Sequence, residues 1–112
     1  MPKLAAKIWK TDAIYISENG TSGDDQVGPD GKIYDTDRIV FLRACLTQLQ
    51  RATADGLPVK GYFQWSTMDN CEWNAGFGNR FGLVYVDFKT QKRTPKLSAA
   101  WFREAAARNA VV

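Results

Sequence analysis

The alternation of strand-forming and helix-forming segments constrains the fold of this chain most. Two short strand-forming segments, at residues 13–17 and 60–66, flank a helical segment at about residues 36–55. In that segment apolar residues recur at helical spacing, and a glycine and a proline end it. Strands that alternate with helices predict parallel strands joined by right-handed crossovers. The chain is therefore expected to have an α/β fold.

Two parallel strands are too few for a self-sufficient sheet. A parallel sheet is normally covered on both faces, and its strands need neighbours on both edges. With 112 residues, the chain is long enough for one domain that buries a core. We therefore expect residues 1–112 to form one βαβα segment of a larger sheet, with a hairpin-like insert before the last helix.

Local signals set the expected bounds of the remaining elements. Residues 2–11 predict a short first helix, and residues 81–88 predict an extended, β-branched segment. Asp35 is expected to cap the start of the long helix, and Thr94-Pro95 to open the last helix. Long loops follow both central strands, and such loops in compact domains commonly carry function.

The residue types present exclude several kinds of chemistry. The chain has two cysteines and no histidine, so it cannot by itself build a Ser-His-Asp site or a usual zinc site. No metal or other cofactor is expected. The net charge of +3 is modest and the basic residues are scattered, which argues against a nucleic-acid partner. No apolar stretch approaches a membrane span. With sites that need histidine excluded, carboxylate chemistry remains.

The two cysteines favour a reducing compartment. Cys45 falls on the apolar side of the predicted long helix and Cys71 in a loop. Unpaired thiols are usual inside cells, and a disulfide is the minority alternative. The first residues lack the pattern of a signal peptide. The expected localisation is therefore cytoplasmic, without membrane association.

A glutamate stands at the carboxyl end of the first predicted strand. The segment AIYISENG, residues 13–20, places Glu18 between strand-forming residues and the turn dipeptide Asn19-Gly20. In α/β barrels the catalytic groups lie at this end of the strands. Glu18 is therefore a candidate catalytic carboxylate, and an ordinary solvated loop glutamate is the alternative.

The second strand and the loop after it carry a long family motif. The segment GYFQWSTMDNCEWNAGFGNRFGLVYVDF, with YISENG upstream and TQKRTPKLSAAWF downstream, resembles the C-terminal part of glycoside hydrolase family 1, the β-glucosidase family. The resemblance extends from about Lys3 to Asn109 in one order. It implies that the chain is the C-terminal quarter of a (β/α)8 TIM barrel, with AIYISENG in strand seven and GYFQWS in strand eight.

The resemblance also implies roles for five residues. Glu18 matches the nucleophile of a retaining β-glycosidase, although Ser17 replaces the usual threonine before it. Four other residues match the family's sugar-binding groups: Trp65 beneath the sugar ring, Glu72 at the O4 and O6 hydroxyls, Trp73 at O3, and Phe81 near O6. The substrate implied is a β-glucoside.

The chemistry of these residue types agrees with sugar binding. A pyranose presents a face of C–H groups and a rim of hydroxyls, which an aromatic plane and a carboxylate bind together. Trp65, Glu72 and Trp73 supply that set within one strand and its loop. Core packing is the alternative for both tryptophans and for Phe81.

The resemblance has a consequence for the backbone as well. The family has a non-proline cis peptide bond after its strand-eight tryptophan, which corresponds here to Trp65-Ser66. In the loop that follows, Asp69 and Asn70 are expected to shape the backbone and not to contact sugar.

One half of the catalytic pair is absent from the sequence. Retaining glycosidases use two carboxyl groups about 5–5.5 Å apart, a nucleophile and a general acid/base. In the family the acid/base lies in an Asn-Glu-Pro motif at strand four, which this sequence lacks. The resemblance gives Glu72 a binding role, and Glu104 is expected to be a solvated helix residue. The chain is therefore expected to be inactive alone.

Three functions are compatible with this sequence. The first is a segment of a retaining β-glucosidase, active once the N-terminal remainder of the barrel completes it. The second is a non-catalytic assembly fragment that self-associates or joins other chains. The third is a small sugar-binding module that uses Trp65 and Glu72. The aglycone preference stays open, as does the choice among glucose, galactose and fucose, although Glu72-Trp73 favours a gluco-type sugar.

Overall fold

The order of elements expected from the sequence is confirmed. The computed structural model describes residues 2–112, with side chains from Leu4 onward. Its elements are α1 (Pro2–Trp9), β1 (Ile14–Asn19), α2 (Thr36–Ala54), β2 (Val59–Gln64), β3 (Val84–Val86), β4 (Arg93–Pro95) and α3 (Leu97–Arg108). A 3-10 turn, Trp73–Ala75, lies in the loop after β2. No helix within residues 2–112 is both long and apolar enough to cross a membrane.

The two central strands are parallel, as predicted, and α2 forms the crossover between them. They pair only with each other, so within residues 2–112 each strand has one unpaired edge. The pairing is irregular at two points, between Ile14 and Tyr15 and between Ile16 and Asn19. β3 and β4 form a separate antiparallel hairpin. The chain thus forms two βα units with a hairpin inserted into the second.

The apolar stripe of α2 contributes Leu42 to the core. Leu42 is fully buried, and Ile39, Leu46 and Leu49 are half-buried. Burying a leucine completely stabilises a fold by about 1.5–3 kcal/mol. α3 packs against α2, and its Ala105 is buried beside it. Phe102 of α3 packs its ring 6.4 Å from the Tyr62 ring on β2, so α3, with α2 beside it, lies over one face of the sheet.

The other face of the sheet is open. Tyr15 on β1 is 61% exposed and Phe63 on β2 is 58% exposed. The apolar side chains of α1, Leu4, Ile8 and Trp9, are exposed as well. Large apolar side chains exposed in this number mark an interaction surface or an aggregation hazard. The face that the resemblance assigns to a barrel interior is exposed in this chain.

The last helix begins later than expected. Thr94 and Pro95 pair with Tyr85 and Val84 as part of β4, so the prediction that they open the helix is wrong. A proline fits this position because it lies at the end of a short edge strand, where no amide donor is needed. Along α3, Leu97 is exposed.

The predicted strand at residues 81–88 is reduced to Val84–Val86. The amides of Leu83 and Val84 donate hydrogen bonds to the carbonyl oxygens of Ser66 and Thr67, at 3.0 and 2.9 Å. The segment therefore runs back along the loop that follows β2. This contact anchors both ends of that loop, which carries four of the predicted site residues.

A buried ionic network ties the two βα units together. Its members are three carboxylates and three cations: Asp25, Asp35, Asp69, Arg38, Arg80 and Lys96. The Lys96 Nζ atom lies 2.5 Å from Asp25 Oδ2 and 2.8 Å from Asp69 Oδ1. One ammonium thus joins the loop after β1 to the loop after β2. Buried charges persist when they are paired and hydrogen-bonded, as they are here.

Arg38 lies at the centre of the ionic network and has no exposed surface. Its guanidinium donates to both carboxylate oxygens of Asp25, at 3.1 and 2.8 Å, to Asp35, and to the Arg80 carbonyl at 2.7 Å. Burial lowers the pKa of Arg38, but the hydrogen bonds and charges of Asp25 and Asp35 outweigh it and raise that pKa. For the Asp25 carboxyl, burial raises the pKa. The hydrogen bonds and charges of Arg38 and Lys96 outweigh burial, and the pKa of Asp25 lies below its ordinary value.

Asp35 is the N-cap residue of α2, as predicted, but its side chain makes no capping hydrogen bond to that helix. Its carboxylate accepts hydrogen bonds from the Ser98 amide, at 2.9 Å, and from the Ser98 hydroxyl. Ser98 lies in the first turn of α3, where a carboxylate is favoured by the helix dipole. Asp35 therefore stabilises the start of the last helix and, through Arg38, connects it to α2.

Candidate functional site

The carboxyl ends of β1 and β2 bring Glu18 and Trp65 to one end of the sheet. The Trp65 amide donates to the carbonyl oxygen of Asn19, the residue after Glu18, with an N···O distance of 2.9 Å. The Glu18 side chain is exposed at the end of β1. Two of the predicted site residues therefore share the end of the sheet that carries the chemistry in α/β barrels.

Gly20 permits the close approach of these two strand ends. A Cβ atom at this position would lie 1.8 Å from the Trp65 carbonyl oxygen, far inside van der Waals contact. A glycine has no Cβ, so the chain after Glu18 can pass directly over the Trp65 backbone. Steric contact with the Trp65 backbone therefore requires a glycine two residues after Glu18.

Replacing Gly20 with alanine is expected to lower the free energy of unfolding by about 1–3 kcal/mol, the usual cost of overpacking. The clash is with backbone, which cannot rotate away as a side chain could. Urea unfolding would measure the loss. A Gly78→Ala variant is the control, because a Cβ there would come no closer than 3.3 Å to another atom. Equal stabilities for the two variants would contradict a steric requirement for glycine at position 20.

A direct hydrogen bond joins Trp65 to Glu72. The indole Nε1 donates to Glu72 Oε1 at 3.0 Å. The Trp65 side chain is 36% exposed, and Glu72 is half-buried. An ionised carboxylate offers about four acceptor positions, so this bond leaves most of them available. The pair presents an aromatic plane and an oriented carboxylate side by side.

Trp73 projects from a tight turn and is 91% exposed, so it does not pack in the core of this chain. Its φ of +48° is unusual for an aromatic residue. Backbone hydrogen bonds close the turn, from the Glu72 amide to the Gly76 carbonyl at 2.7 Å and from the Gly76 amide to the Trp73 carbonyl at 3.1 Å. The turn therefore holds the indole away from the protein.

The backbone of Phe81 is hydrogen-bonded to residues at the end of β2. Its carbonyl oxygen accepts hydrogen bonds from the Ser66 amide at 3.2 Å and from Gln64 Nε2 at 3.4 Å. The ring is half-buried, so packing and ligand contact both stay open for it. The Trp65-Ser66 peptide bond is cis, as the resemblance implies.

Asp69 shapes the loop that carries these residues, as expected. Its carboxylate accepts from the amides of Gly82 and Val86, at 3.0 and 3.3 Å, and from Arg80 Nη1 at 2.6 Å. Asn70 also bonds within the loop, because its Nδ2 donates to Ser66 Oγ and the Met68 carbonyl, each at 3.1 Å. The site loop is thus held by internal polar contacts.

Arg80 and Lys96, the cations that hold Asp69, have no counterpart in the predictions from the sequence. Lys96 lies at the start of α3, where the helix dipole disfavours a positive charge. A cation at such a position indicates a carboxylate partner from elsewhere in the fold. That is the one signal in the sequence that could have revealed the ionic network.

The proposed roles do not use the two cysteines or Glu104. Both cysteines are free, so the disulfide alternative is wrong. Burial raises the pKa of Cys45, whereas Cys71 is exposed. Glu104 lies on the surface of α3 as expected, 2.5 Å from Arg108 Nε. Among residues 2–112, no group of three or more Cys, Asp or Glu side chains could hold a metal ion.

Known proteins resemble this chain over nearly its whole length. The model of glycosyl hydrolase family 1 matches residues 3–111. A 1,4-beta-D-glucan glucohydrolase from Thermotoga neapolitana is 53% identical over 89 residues, which are 80% of this chain and 20% of that protein. Beta-glucosidase A from Thermotoga maritima is 47% identical over 96 residues, which are 86% and 22% of the two chains.

A solved structure has the same fold in one part of its chain. The family 1 β-glucosidase from Thermotoga maritima in complex with isofagomine lactam superposes with a TM-score of 0.97 at 41% identity. The match covers 99% of this chain and 25% of that one. The chain thus spans about a quarter of that structure, and it has the fold predicted for it, the C-terminal quarter of a (β/α)8 barrel.

Proposed function

Because this chain belongs to glycosyl hydrolase family 1, we propose that it forms the part of a retaining β-glucosidase that supplies the nucleophile and the sugar-binding residues. The substrate is a terminal β-D-glucoside, and the N-terminal remainder of the barrel supplies the general acid/base. One observation carries this proposal. Trp65 is hydrogen-bonded both to Glu72 through its side chain and to the strand end beside Glu18 through its amide.

The sugar lies against the aromatic plane of Trp65 in this proposal. Glu72 is already oriented by the Trp65 indole, so its free acceptor positions receive the O4 and O6 hydroxyls in charge-assisted hydrogen bonds. Trp73 is exposed and donates its indole N–H to O3. Phe81 closes the pocket near O6.

Glu18 is the nucleophile in this proposal. Its carboxylate oxygen bonds to the anomeric carbon while the bond to the leaving oxygen breaks, and the acid on the missing segment protonates that oxygen. Water then attacks the anomeric carbon of the covalent glycosyl intermediate and the bond from that carbon to the Glu18 oxygen breaks, which regenerates the carboxylate. The same group on the missing segment, now a base, removes the water's proton. Of the remaining glutamates, Glu72 is paired with Trp65 and Glu104 lies on α3, so neither replaces the missing acid.

The test is covalent trapping of the nucleophile. The chain is coexpressed with a chain that carries strands one to six, and the completed barrel is treated with a 2-deoxy-2-fluoroglucoside that has a good leaving group. Peptide mass spectrometry is expected to find the sugar on Glu18. Labelling of Glu72 would contradict the assignment of the nucleophile.

Replacing Glu72 with alanine is expected to cost on the order of 3 kcal/mol in kcat/KM, because two hydrogen bonds to a charged group are lost. The loss should be larger for a β-glucoside than for the matching sugar that lacks the O6 hydroxyl. Steady-state kinetics of the completed barrel on both substrates would measure this. Equal losses on both substrates would mean that Glu72 only supports its loop.

A non-catalytic assembly fragment is the second candidate function. The observation that favours it is the open sheet face with Tyr15 and Phe63, together with the unpaired strand edges. Such edges and apolar surfaces favour association with another chain. Self-association of four copies would supply the eight strands of a closed barrel.

The isolated chain is accordingly expected to sediment as an oligomer and to show no hydrolysis of a nitrophenyl β-glucoside. Sedimentation velocity at several protein concentrations and a prolonged assay with purified chain check both statements. A stable monomer would contradict the first statement. Turnover by the chain alone that is lost in Glu18→Gln would contradict the second.

A further inference from the structure

A β-bulge lies in β1 just before the end of the strand. The step from Ile16 to Asn19 is three residues long, whereas the step between their partners on β2 is two residues long. One extra residue is therefore inserted into β1 at Ser17-Glu18. Bulges of this kind bend a strand and change the direction of the side chains beside it.

The bulge decides which face of the sheet Glu18 occupies. In a regular strand, side chains two residues apart share a face, so Glu18 would share the face of Ile16. That face is covered, because Tyr62, the partner of Ile16, packs its ring 6.4 Å from the ring of Phe102 in α3. With the inserted residue, Asn19 takes the covered face and the Glu18 side chain is exposed. Without the bulge, the carboxylate would point at the helices.

A part-buried hydrogen bond holds Asn19 on the covered face. The Tyr62 hydroxyl donates to Asn19 Oδ1 at 2.8 Å. Burial and, to a smaller extent, the neighbouring Cys45 raise the pKa of Tyr62 to about 12, so the hydroxyl keeps its proton. The main chain of Asn19 is held as well, because its carbonyl accepts the Trp65 amide. Both the side chain and the main chain of Asn19 are therefore tied to β2.

We infer that Tyr62 and Asn19 are positioning residues that direct the Glu18 carboxylate into the sugar site. The inference rests on the proposed role of Glu18 as nucleophile. Tyr62 acts from the helix-covered side of the sheet, and Asn19 transmits its position through the bulge. A nucleophile must lie about 3–3.5 Å from the atom that it attacks, and a misplacement of about 1 Å can cost about 100-fold in rate.

The test compares Tyr62→Phe, Asn19→Ala and the double variant in the completed barrel. Tyr62→Phe removes only the hydroxyl and leaves the ring against Phe102. The rate of labelling of Glu18 by the 2-deoxy-2-fluoroglucoside is followed by mass spectrometry over a range of reagent concentrations. Tyr34→Phe is the matched control, because it removes an exposed hydroxyl that donates to Asp30 at 2.6 Å.

The limiting labelling rate is expected to fall about tenfold or more in each single variant. The reagent concentration that gives half of that rate should change less than about twofold, because Trp65 and Glu72 remain in place. The double variant should be no slower than the slower single variant, since both changes remove the same hydrogen bond, from the Tyr62 hydroxyl to Asn19 Oδ1. Tyr34→Phe should label at the wild-type rate.

Labelling of Tyr62→Phe at the wild-type rate would overturn the inference, and so would additive effects in the double variant. Hydrogen–deuterium exchange of the Trp65 amide, measured in the same completed barrels, separates this inference from the proposed function. Faster exchange in Tyr62→Phe than in Tyr34→Phe would support a bulge held by Tyr62, and equal exchange would contradict it. Failure to label wild-type Glu18 would instead count against the proposed nucleophile.

Discussion

Replacing Glu18 with glutamine is expected to lower the turnover of a nitrophenyl β-glucoside by the completed barrel by about 10⁴-fold or more, the usual scale for loss of a nucleophile. The glutamine amide has nearly the same shape, so the bulge and the packing of the chain should be unaffected. It cannot form the glycosyl intermediate, because its oxygen is a poor nucleophile. Steady-state rates at saturating substrate would measure the loss.

The matched control is Glu104→Gln, which makes the same chemical change on the surface of α3. Its turnover should stay within about twofold of the wild type, because Glu104 accepts its hydrogen bond from Arg108 at an exposed position on α3. Sedimentation of both variants with the partner chain would check that assembly is intact. Retention of more than about 1% of wild-type turnover in Glu18→Gln would contradict its assignment as nucleophile.

Replacing Arg38 with methionine is expected to lower the free energy of unfolding by about 3–5 kcal/mol, the usual cost of removing one partner from a buried ion pair. Methionine fills part of the space left by the arginine stem. The carboxylates of Asp25 and Asp35 would each lose their arginine partner inside the protein. Urea unfolding at one fixed protein concentration would measure the loss.

Arg108→Met provides the control for this change. The Arg108 side chain is 65% exposed and pairs with Glu104 one helical turn away. Such pairs contribute about 0.3–0.5 kcal/mol, so the control should be almost as stable as the wild type. A similar small loss in Arg38→Met would show that the ionic network adds little to stability.

The effect of Arg38→Met should also depend on pH. The folded-state pKa of Asp25 lies below its ordinary value, so the folded protein binds fewer protons than the unfolded chain in the acid range. The stabilisation is fully present above the ordinary aspartate pKa, about 3.9, and is lost as the pH falls through the folded-state pKa. Wild type and variant should therefore converge in stability on acidification, which unfolding curves at several pH values would reveal.

The sequence predicts the two parallel strands and α2 well because their signals are local. The spacing of Ile39, Leu42 and Leu46 specifies a helix face, and the flanking strand-formers specify its neighbours. The last helix was predicted less well because Thr94-Pro95 is equally compatible with a helix start and an edge strand. Its pairing with β3 decided between the two, and that contact is tertiary.

The sequence predicts which residues belong to the site, through its motifs, but not how those residues contact one another. Trp65 and Glu72 were predicted by resemblance, yet their mutual hydrogen bond follows from a folded loop and not from their spacing. Asp25 and Lys96 are 71 residues apart, and nothing local links them. The bulge beside Glu18 depends on pairing with β2, which the sequence of β1 alone does not encode.

The ionic network has a consequence for how barrels of this kind can be recombined. Its charges are all contributed from within this one chain, and they hold the loops after β1 and β2 in alignment. A gene fusion that exchanged this quarter of the barrel would therefore carry its loop geometry along intact. Under the proposed function, the sugar contacts of Trp65, Glu72 and Trp73 would be inherited with this segment.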